Sequence, residues 1–289
     1  MSFRTVAVTH RAKLNLNMGY LEVRDEDVKK IFLDEIDILL IESQAVSMTA
    51  ALLSALMDKK IKVIFCDEKR NPQGELFPYY GSVDCSRKIK KQLEWSEDIK
   101  GKVWTAIVKA KIRNQAIFLK ELDMKREEDL LESYLQEMLY RDESNREGMA
   151  AKVYFDAIFG MNFTRDQETP VNAALDYGYS LILSLVNREV SYNGYITQLG
   201  LFHDNIYNCF NLSSDLMEPY RILIDRMVFQ NQFDKFETEE KHKMLHIFET
   251  EVRIGGSWQI LPNAVRIYVR SVFDALCDND SSEILFYSL

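Results

Sequence analysis

The sequence has little of the residues that interrupt regular structure or cross-link small domains: its 289 residues include 5 Pro, 11 Gly and 4 Cys. So few Pro and Gly residues argue against long irregular linkers. Cys66, Cys85, Cys209 and Cys277 form no C-x-x-C pair, and no charged-then-apolar signal segment opens the chain. We therefore expect reduced thiols in a cytoplasmic protein.

Long apolar runs and nucleotide-binding motifs are also missing. Runs such as Ile36–Ile41 are interrupted by charge, far short of the roughly 20 residues that a membrane span needs. The sequence has no phosphate loop, no dinucleotide-binding G-x-G-x-x-G, no Gly-x-Ser-x-Gly elbow and no paired-cysteine zinc pattern. We therefore expect no membrane partner and no ATP use, and chemistry that depends on carboxylates, His and a metal ion.

The net charge of −9 argues against a nucleic-acid partner, but the charge is unevenly spread. Because salt limits surface fields to about 8–10 Å, local charge decides contact. Residues 85–126 contain twelve Lys and Arg against five Asp and Glu, whereas 127–143 contain one against seven. The basic stretch therefore supplies candidate phosphate contacts, with an ordinary solvated helix face as the alternative. These candidates are Arg87, Lys88, Lys90, Lys91, Lys100, Lys102, Lys109 and Lys111.

Alternating hydrophobicity predicts strands over the first 80 residues or so. Leu14 and Leu16 match Leu21 and Val23 across the hairpin turn Asn17–Gly19. We expect Ser47 to cap a short helix that ends near Asp58, a strand over 62–67, and a type I turn over 71–74.

From residue 81 onward the periodicity is helical, as in the spacing of Val103, Ile107, Ala110 and Ile117. We expect Asn145 to cap one helix and further helices over 172–192, 196–203 and from 214 or 215 to 229. The prediction is an α+β fold: a small N-terminal β-sandwich-like domain (1–80) followed by a larger all-α catalytic domain (81–289).

Four side chains in the helical part are candidates for chemistry: Glu147, His203, Asp215 and Glu218. Two carboxylates and an imidazole suit Mg²⁺ or Mn²⁺ with positions open for water or phosphate. Three of them also have an ordinary structural interpretation, whereas Glu218, which shares a helix face with Asp215, is harder to explain in this way. His203 can be a partly buried structural residue, Glu147 a partner of the helix dipole, and Asp215 a helix cap. Spacing alone does not place them together.

Several ordered motifs give the sequence a resemblance to a known family, the CRISPR-adaptation integrases that insert new spacers into repeat arrays, and within it to the type II-A branch. The similarity runs from about residue 3 to about 230. The motifs are SNREGMAAKVYF (Ser144–Phe155), NAALDYGYSLILSLVNREV (Asn172–Val190), TQLGLFHDN (Thr197–Asn205), FNLSSDLMEPYR (Phe210–Arg221), EIDILLIE (Glu35–Glu42) and VIFCDEKRNPQGELFPYYG (Val63–Gly81).

The resemblance implies a catalytic metal site in the helical domain. The Glu of the Asn-Arg-Glu-Gly motif is Glu147, the His of Gly-Leu-x-His is His203, and the acid of Asp-x-Met-Glu-Pro is Glu218. Many family members carry Asp at this last site, so Asp215 stays an alternative third ligand. The implied cofactor is Mg²⁺ or Mn²⁺.

The implied reaction is a pair of transesterifications, in which the 3′-hydroxyl of an incoming DNA fragment attacks a phosphodiester at a repeat end. It needs no ATP and no protein nucleophile. The implied partners are double-stranded DNA (the fragment and the repeat array), a second copy of the chain in a homodimer, and a small companion adaptation protein bridging two dimers. Other adaptation proteins and the effector nuclease are further candidates.

The resemblance also bears on the DNA contacts. The N-terminal domain is expected to serve dimerisation and contact with DNA ends, where His10 is a candidate for stacking, by loose analogy with an aromatic wedge in the family. Arg146 and Lys152 flank Glu147 and are candidates for touching the scissile strand. Two other functions stay open from the residues alone: a metal-dependent nuclease or endonuclease that does not join DNA, and a non-catalytic acidic scaffold.

Overall fold

The computed structural model describes residues 4–79 and 81–288, so the predicted domain limits at residues 1, 80 and 289 lie outside the described residues. The described chain divides into two compact units, with the division between Val83 and Asp84, close to the predicted division after residue 80. The fold class is the predicted one, with a strand-rich first part and a helical second part.

The first unit consists of strands and one helix. Its elements are β1 (Arg4–Val8), β2 (Lys13–Asn17), β3 (Tyr20–Arg24), β4 (Val28–Phe32), β5 (Ile36–Ile41), β6 (Ser47–Met48), α1 (Ala50–Asp58), β7 (Lys62–Cys66) and β8 (Pro72–Glu75). The strands of residues 4–79 form two four-stranded sheets, ordered β1-β5-β7-β8 and β4-β3-β2-β6. In the first sheet β1, β5 and β7 run parallel, and β8 pairs antiparallel with β7.

The two sheets and α1 share one hydrophobic core, to which β2 contributes Leu14, β5 contributes Leu39 and α1 contributes Leu52. The predicted hairpin is confirmed: Leu14 pairs with Val23 and Leu16 with Leu21. Its turn places Met18 and Gly19 at positive φ, which glycine adopts without a steric penalty.

Two local predictions in this unit are wrong. Ser47 lies in β6, and the side chain of Thr49 caps α1 instead, accepting the N–H of Leu52. The turn lies four residues earlier than predicted, where the Asp67 carboxylate accepts the N–H of Asn71. Pro72 then begins β8, an edge strand, where a missing N–H is tolerated.

The second unit is built from helices, and its elements follow in chain order. They are α2 (Cys85–Leu93), α3 (Glu97–Glu121), α4 (Lys125–Glu137), α5 (Arg146–Phe159), α6 (Pro170–Tyr192), α7 (Asn211–Met217), α8 (Arg221–Asn231), α9 (Thr238–Met244), β9 (Glu251–Ile254), β10 (Ser257–Ile260) and α10 (Leu261–Asp278). The β9–β10 hairpin corrects the prediction of an all-α domain; its turn contains Gly255 and Gly256, both at positive φ.

The long helices α3 and α6 form the centre of this unit. The helix α6 begins at Pro170, is capped by Thr169, and ends at Tyr192 before Asn193, as the sequence predicts for its end. Tyr177 and Tyr179 on α6 are buried. Among the described residues, none of the helices has the length and apolarity needed to cross a membrane.

Replacing Thr49 with Ala should lower the free energy of unfolding by about 1 kcal/mol, because the N–H of Leu52 loses its cap. Denaturant unfolding followed by circular dichroism measures this. Ser47→Ala is the matched control, since its side chain lies in a short strand, and should stay within about 0.5 kcal/mol of the parent. A larger loss in Ser47→Ala than in Thr49→Ala would contradict the assignment of the cap.

Candidate active site

Lys111 interrupts the buried face of α3. Trp104, Ile107, Asn114 and Phe118 follow one another at spacings of 3, 7 and 4 residues, which places them on one helix face, and all of them are buried. Lys111 falls on the same face, and its side chain is 13% exposed. A charge in such a place requires an opposite charge beside it.

The opposite charges come from Glu147 and Glu218. Nζ of Lys111 lies 2.6 Å from Oε1 of Glu147 and 2.6 Å from Oε2 of Glu218. Burial lowers the pKa of Lys111, but the negative charges of Glu218 and Glu147 outweigh it, and the net shift is upward. The amine therefore stays protonated, and two acidic residues distant in sequence meet around one positive charge.

Glu218 is paired with a second cation, Arg221, whose Nε lies 2.9 Å from Oε1 of Glu218. Burial raises the pKa of Glu218, but the charges of Arg221 and Lys111 lower it by more, so the carboxylate is ionised at neutral pH. These contacts are charge pairs without hydrogen-bond geometry, since Oε2 of Glu218 and Nε of Arg221 are buried and make no hydrogen bond.

Local structure fixes both glutamates. Glu147 lies in the first turn of α5, where the Asp142 carboxylate accepts the N–H groups of Arg146 (2.7 Å) and Glu147 (2.9 Å). The predicted cap, Asn145, makes no such bond and has a left-handed backbone conformation. Glu218 begins a 3-10 turn that joins α7 to α8, and Pro219 is its second residue, a position near a helix start where Pro is tolerated.

Asp215 organises the loop that carries His203. Its carboxylate is completely buried and accepts the backbone N–H groups of Leu201 (2.6 Å), Phe202 (3.1 Å) and His203 (3.2 Å). The imidazole Nδ1 of His203 lies 2.5 Å from Oδ1 of the same carboxylate. Asp215 lies inside α7 and not at its start, so it is not a helix cap, and both of its oxygens interact with the loop that carries His203.

These bonds explain why the helix predicted over 196–203 is absent from the described chain, where residues 193–210 form a loop. Leu201, Phe202 and His203 donate their N–H groups to Asp215 instead of to helical carbonyls. Asn211, one turn before Asp215 on α7, donates to the carbonyl of Gln198.

Gly200 is required where the loop passes α7. A Cβ there would lie 2.3 Å from the carbonyl oxygen of His203 and 2.8 Å from Oδ2 of Asp215. The backbone carbonyl of His203 and the carboxylate of Asp215 therefore leave no room for a side chain at this position of the loop.

The imidazole of His203 is held between the loop and α3. Its ring stands edge-on to Trp104, with centroids 5.7 Å apart, and Trp104 stacks on Phe202 at 4.6 Å. The hydrogen bond with Asp215 raises the pKa of His203, burial lowers it by less, and the charges of Asp215, Glu218 and Glu147 raise it further. His203 thus lies within the electrostatic reach of both glutamates, and its side chain is 41% exposed.

The predicted ligands therefore come together only in part. Glu147 and Glu218 meet around Lys111, while His203 turns Nδ1 to Asp215 and leaves Nε2 available. Within residues 4–79 and 81–288, no three His, Cys, Asp or Glu side chains converge closely enough to form a metal site. The two glutamates converge instead on the ammonium of Lys111, which is the cation between them.

The candidate phosphate contacts fall into distinct places. Lys111, predicted among them, belongs to the carboxylate site. Lys102 pairs with Asp98 at 2.6 Å. Arg146 pairs with Glu137 at 2.7 Å and packs over the ring of Tyr134, so it faces α4. The basic residues of α2 line one cleft together with residues of α10. The basic members of that lining are Arg87, Lys88, Lys90 and Lys91.

Other candidates lie apart from this group. Lys109 is half-buried on α3, and Lys152 is exposed on α5. His10 is exposed in the first unit, with Nδ1 2.6 Å from Oγ1 of Thr9. A second cleft lies directly beside His203 and is lined by Lys100, Arg141 and Phe202 among others.

Comparison with known proteins identifies the family. Residues 6–247 match the family model described as CRISPR associated protein Cas1. The chain is 35% identical over 229 residues to the CRISPR-associated endonuclease Cas1 of Neisseria meningitidis serogroup C. The aligned residues cover 79% of this chain and 75% of that relative. The chain therefore belongs to the Cas1 family, and the family predicted from the motifs is confirmed.

Solved structures show the same fold at low sequence identity. A casposase bound to an integration product aligns with a TM-score of 0.78 and 16% identity, covering 98% of this chain and 93% of the casposase. A chain of a Cas6-RT-Cas1–Cas2 complex aligns with a TM-score of 0.74 and 18% identity, covering 97% of this chain. This chain spans 36% of that longer one.

Replacing Asp215 with Asn should lower the pKa of His203, because the imidazolium loses its negatively charged partner. A raised pKa means that protonated His203 stabilises the fold; this contribution is complete below the ordinary value of 6.5 and disappears as pH rises through the raised pKa. The variant should lose that pH-dependent part of its stability.

An NMR titration of the histidine ring protons measures the shift, and thermal unfolding at several pH values measures the stability. The signals of His10, in the other unit, reveal any global disturbance. An identical His203 titration in both proteins would contradict the pairing.

Proposed function

We propose that this protein is a metal-dependent DNA integrase of CRISPR adaptation, which joins 3′-hydroxyl ends of incoming DNA fragments to repeat ends by transesterification. One observation carries the proposal: a protonated amine lies between the carboxylates of Glu147 and Glu218, beside His203. Two ionised carboxylates around one cation, with an imidazole nearby, are the donor set that Mg²⁺ or Mn²⁺ accepts.

Two atoms at the site have the chemistry that a metal ligand needs. Oε2 of Glu218 is a buried anionic oxygen without a hydrogen bond, and the cation that faces it is the ammonium of Lys111; a metal ion could take the place of that ammonium. Nε2 of His203 is likewise left available, because Nδ1 is turned to Asp215. A ligating His whose other nitrogen is held by a carboxylate is common in metal sites, because that bond fixes the tautomer and the ring orientation.

We assign Glu147, His203 and Glu218 as the ligands, and Asp215 as the residue that positions His203. The carboxylate of Asp215 is already saturated by the N–H groups of Leu201, Phe202 and His203. A metal held by these residues would neutralise phosphate oxygens and activate the attacking hydroxyl. The share of the protein itself would be to position the scissile phosphate and the DNA hydroxyl, and positioning of this kind supplies much of the acceleration in such reactions.

The DNA and protein partners belong to the same proposal. The basic cleft of α2 is the candidate surface for the phosphate backbone. One structural relative is a casposase bound to an integration product and another is part of a Cas1–Cas2 complex. These relatives support DNA and a small companion protein as partners. A homodimer, the type II-A branch, and roles of the first unit in dimerisation and DNA-end contact complete the proposal.

An assay of joining separates this proposal from its alternatives. Purified protein, with and without the companion protein, is incubated with a short duplex, a plasmid bearing repeats, and Mg²⁺ or Mn²⁺. Covalent joining of the duplex to the plasmid supports the integrase. Nicking without joining supports a nuclease, and no metal-dependent product under any condition supports a non-catalytic scaffold.

Glu147→Gln, His203→Ala and Glu218→Gln should each reduce joining by at least about 100-fold, which is on the order of 3 kcal/mol of transition-state stabilisation. Binding to DNA should change little, because the substituted groups hold the metal and not the backbone. Glu132→Gln on the exposed side of α4 is the matched control and should join normally. Full joining by Glu218→Gln would reject this residue as a ligand.

Charge reversal on α2, in the triple variant Arg87→Glu, Lys88→Glu and Lys91→Glu, should weaken DNA binding and flatten its salt dependence by roughly 0.9 in log–log slope per lost phosphate contact. Lys102→Glu should have a smaller effect, because Asp98 already neutralises Lys102. Fluorescence anisotropy over a salt series measures both. If the salt dependence of DNA binding is the same in the triple variant as in the parent, the α2 cleft does not contact the DNA backbone.

A further inference from the structure

Both oxygens of Glu218 are already engaged by cations. Oε1 lies 2.9 Å from Nε of Arg221, and Oε2 lies 2.6 Å from Nζ of Lys111. The side chain of Glu218 is 4% exposed, so it has little freedom to turn towards a new partner. A divalent ion that binds Glu218 must therefore displace one of these two cations or lie against it.

Arg221 is fixed by groups other than Glu218. Its guanidinium lies over the ring of Tyr179, 4.7 Å from the centroid, a stabilising cation–π contact. The hydroxyl of Tyr179 donates a hydrogen bond to the buried carboxylate of Asp225, whose negative charge also acts on Arg221. Moving Arg221 would break this arrangement, so Arg221 is the permanent counter-ion of Glu218.

Lys111 has no comparable support. Among the described residues, its ammonium has polar contacts with Glu147 and Glu218 alone, the same carboxylates that are assigned to the metal. Its flexible four-carbon side chain can change rotamer without moving the backbone of α3. When a divalent ion neutralises those carboxylates, the contacts that hold the ammonium in place are lost.

We propose that Lys111 is an internal counter-ion that occupies the cation position in the metal-free protein and is displaced when the divalent metal binds. This rests on the proposed metal site at Glu147, His203 and Glu218. Lys111 stabilises the pair of carboxylates while no metal is present, and it competes with the metal for them. Such competition weakens the affinity of the site for the metal. Lys111 is thus a positioning residue of the apo site.

Removing the ammonium should have opposite effects on metal binding and on apo stability. Lys111→Met keeps the length of the side chain without its charge. We expect its Kd for Mn²⁺ to be at least about tenfold lower than that of the parent, corresponding to ~1.4 kcal/mol of removed competition. Its melting temperature in EDTA should fall, because the buried carboxylate of Glu218 and the partly exposed carboxylate of Glu147 then repel each other, and saturating Mn²⁺ should restore most of the loss.

Mn²⁺ binding is measured on the full chain by electron paramagnetic resonance, and melting by differential scanning fluorimetry. Lys120→Met removes one charge from the exposed end of the same helix and is the matched control, with unchanged Kd and unchanged response to EDTA. Lys111→Arg retains the competing charge and should not bind Mn²⁺ more tightly than the parent. Equal Kd values for the parent and Lys111→Met would overturn the inference while leaving the metal site intact. Absence of Mn²⁺ binding in every protein would instead reject the proposed site.

A measurement on the unsubstituted protein covers the case in which Lys111→Met fails to fold. Reductive methylation followed by mass spectrometry reports how accessible each lysine is. Lys111 should be methylated slowly in EDTA, because it is buried and ion-paired, and faster at saturating Mn²⁺. The ratio for Lys120 serves as the internal reference. A Lys111 rate that does not change although Mn²⁺ is bound would contradict displacement.

Discussion

The second unit depends on how it compensates the buried carboxylate of Glu218, which lies close to the partly exposed carboxylate of Glu147. Burying an ionised carboxylate is costly unless a positive charge lies beside it. Lys111 supplies that charge for Glu218 and also pairs with Glu147, and it ties three helical segments, α3, α5 and the turn between α7 and α8, to one point. In the proposed integrase, the negative charge that the fold assembles around this cation would hold the metal.

A second buried carboxylate, Asp215, determines the shape of the loop rather than the charge of the site. It accepts hydrogen bonds from the N–H groups of Leu201, Phe202 and His203, and it also orients the imidazole of His203. Asp215 and Glu218 lie one turn apart and carry the same functional group, yet their surroundings differ. Asp215 is surrounded by hydrogen-bond donors from the loop that carries His203, whereas Glu218 is surrounded by cations. This difference separates a positioning role from a ligand role in the proposed integrase.

Sequence patterns predicted what depends on local chemistry. The hairpin of Leu14 and Val23 and the end of α6 follow from periodicity and turn residues. Patterns failed where a side chain distant in sequence accepts the backbone N–H groups. The helix predicted over 196–203 does not form, because Asp215, twelve residues after His203, accepts the N–H groups of Leu201, Phe202 and His203. Lys111 was grouped with surface lysines, although its spacing from Ile107 and Asn114 placed it on a buried face. That spacing was the signal that could have identified its role.

In the proposed function, Glu147 and Glu218 form a cation site that a divalent metal shares with His203. The most direct test is a crystal structure of the protein with Mn²⁺, using anomalous scattering to locate the ion. We expect one strong peak between the carboxylates of Glu147 and Glu218, close enough to Nε2 of His203 for this nitrogen to be a ligand. A peak coordinated by Asp215 instead, or the absence of a peak between the two glutamates at saturating Mn²⁺, would contradict it.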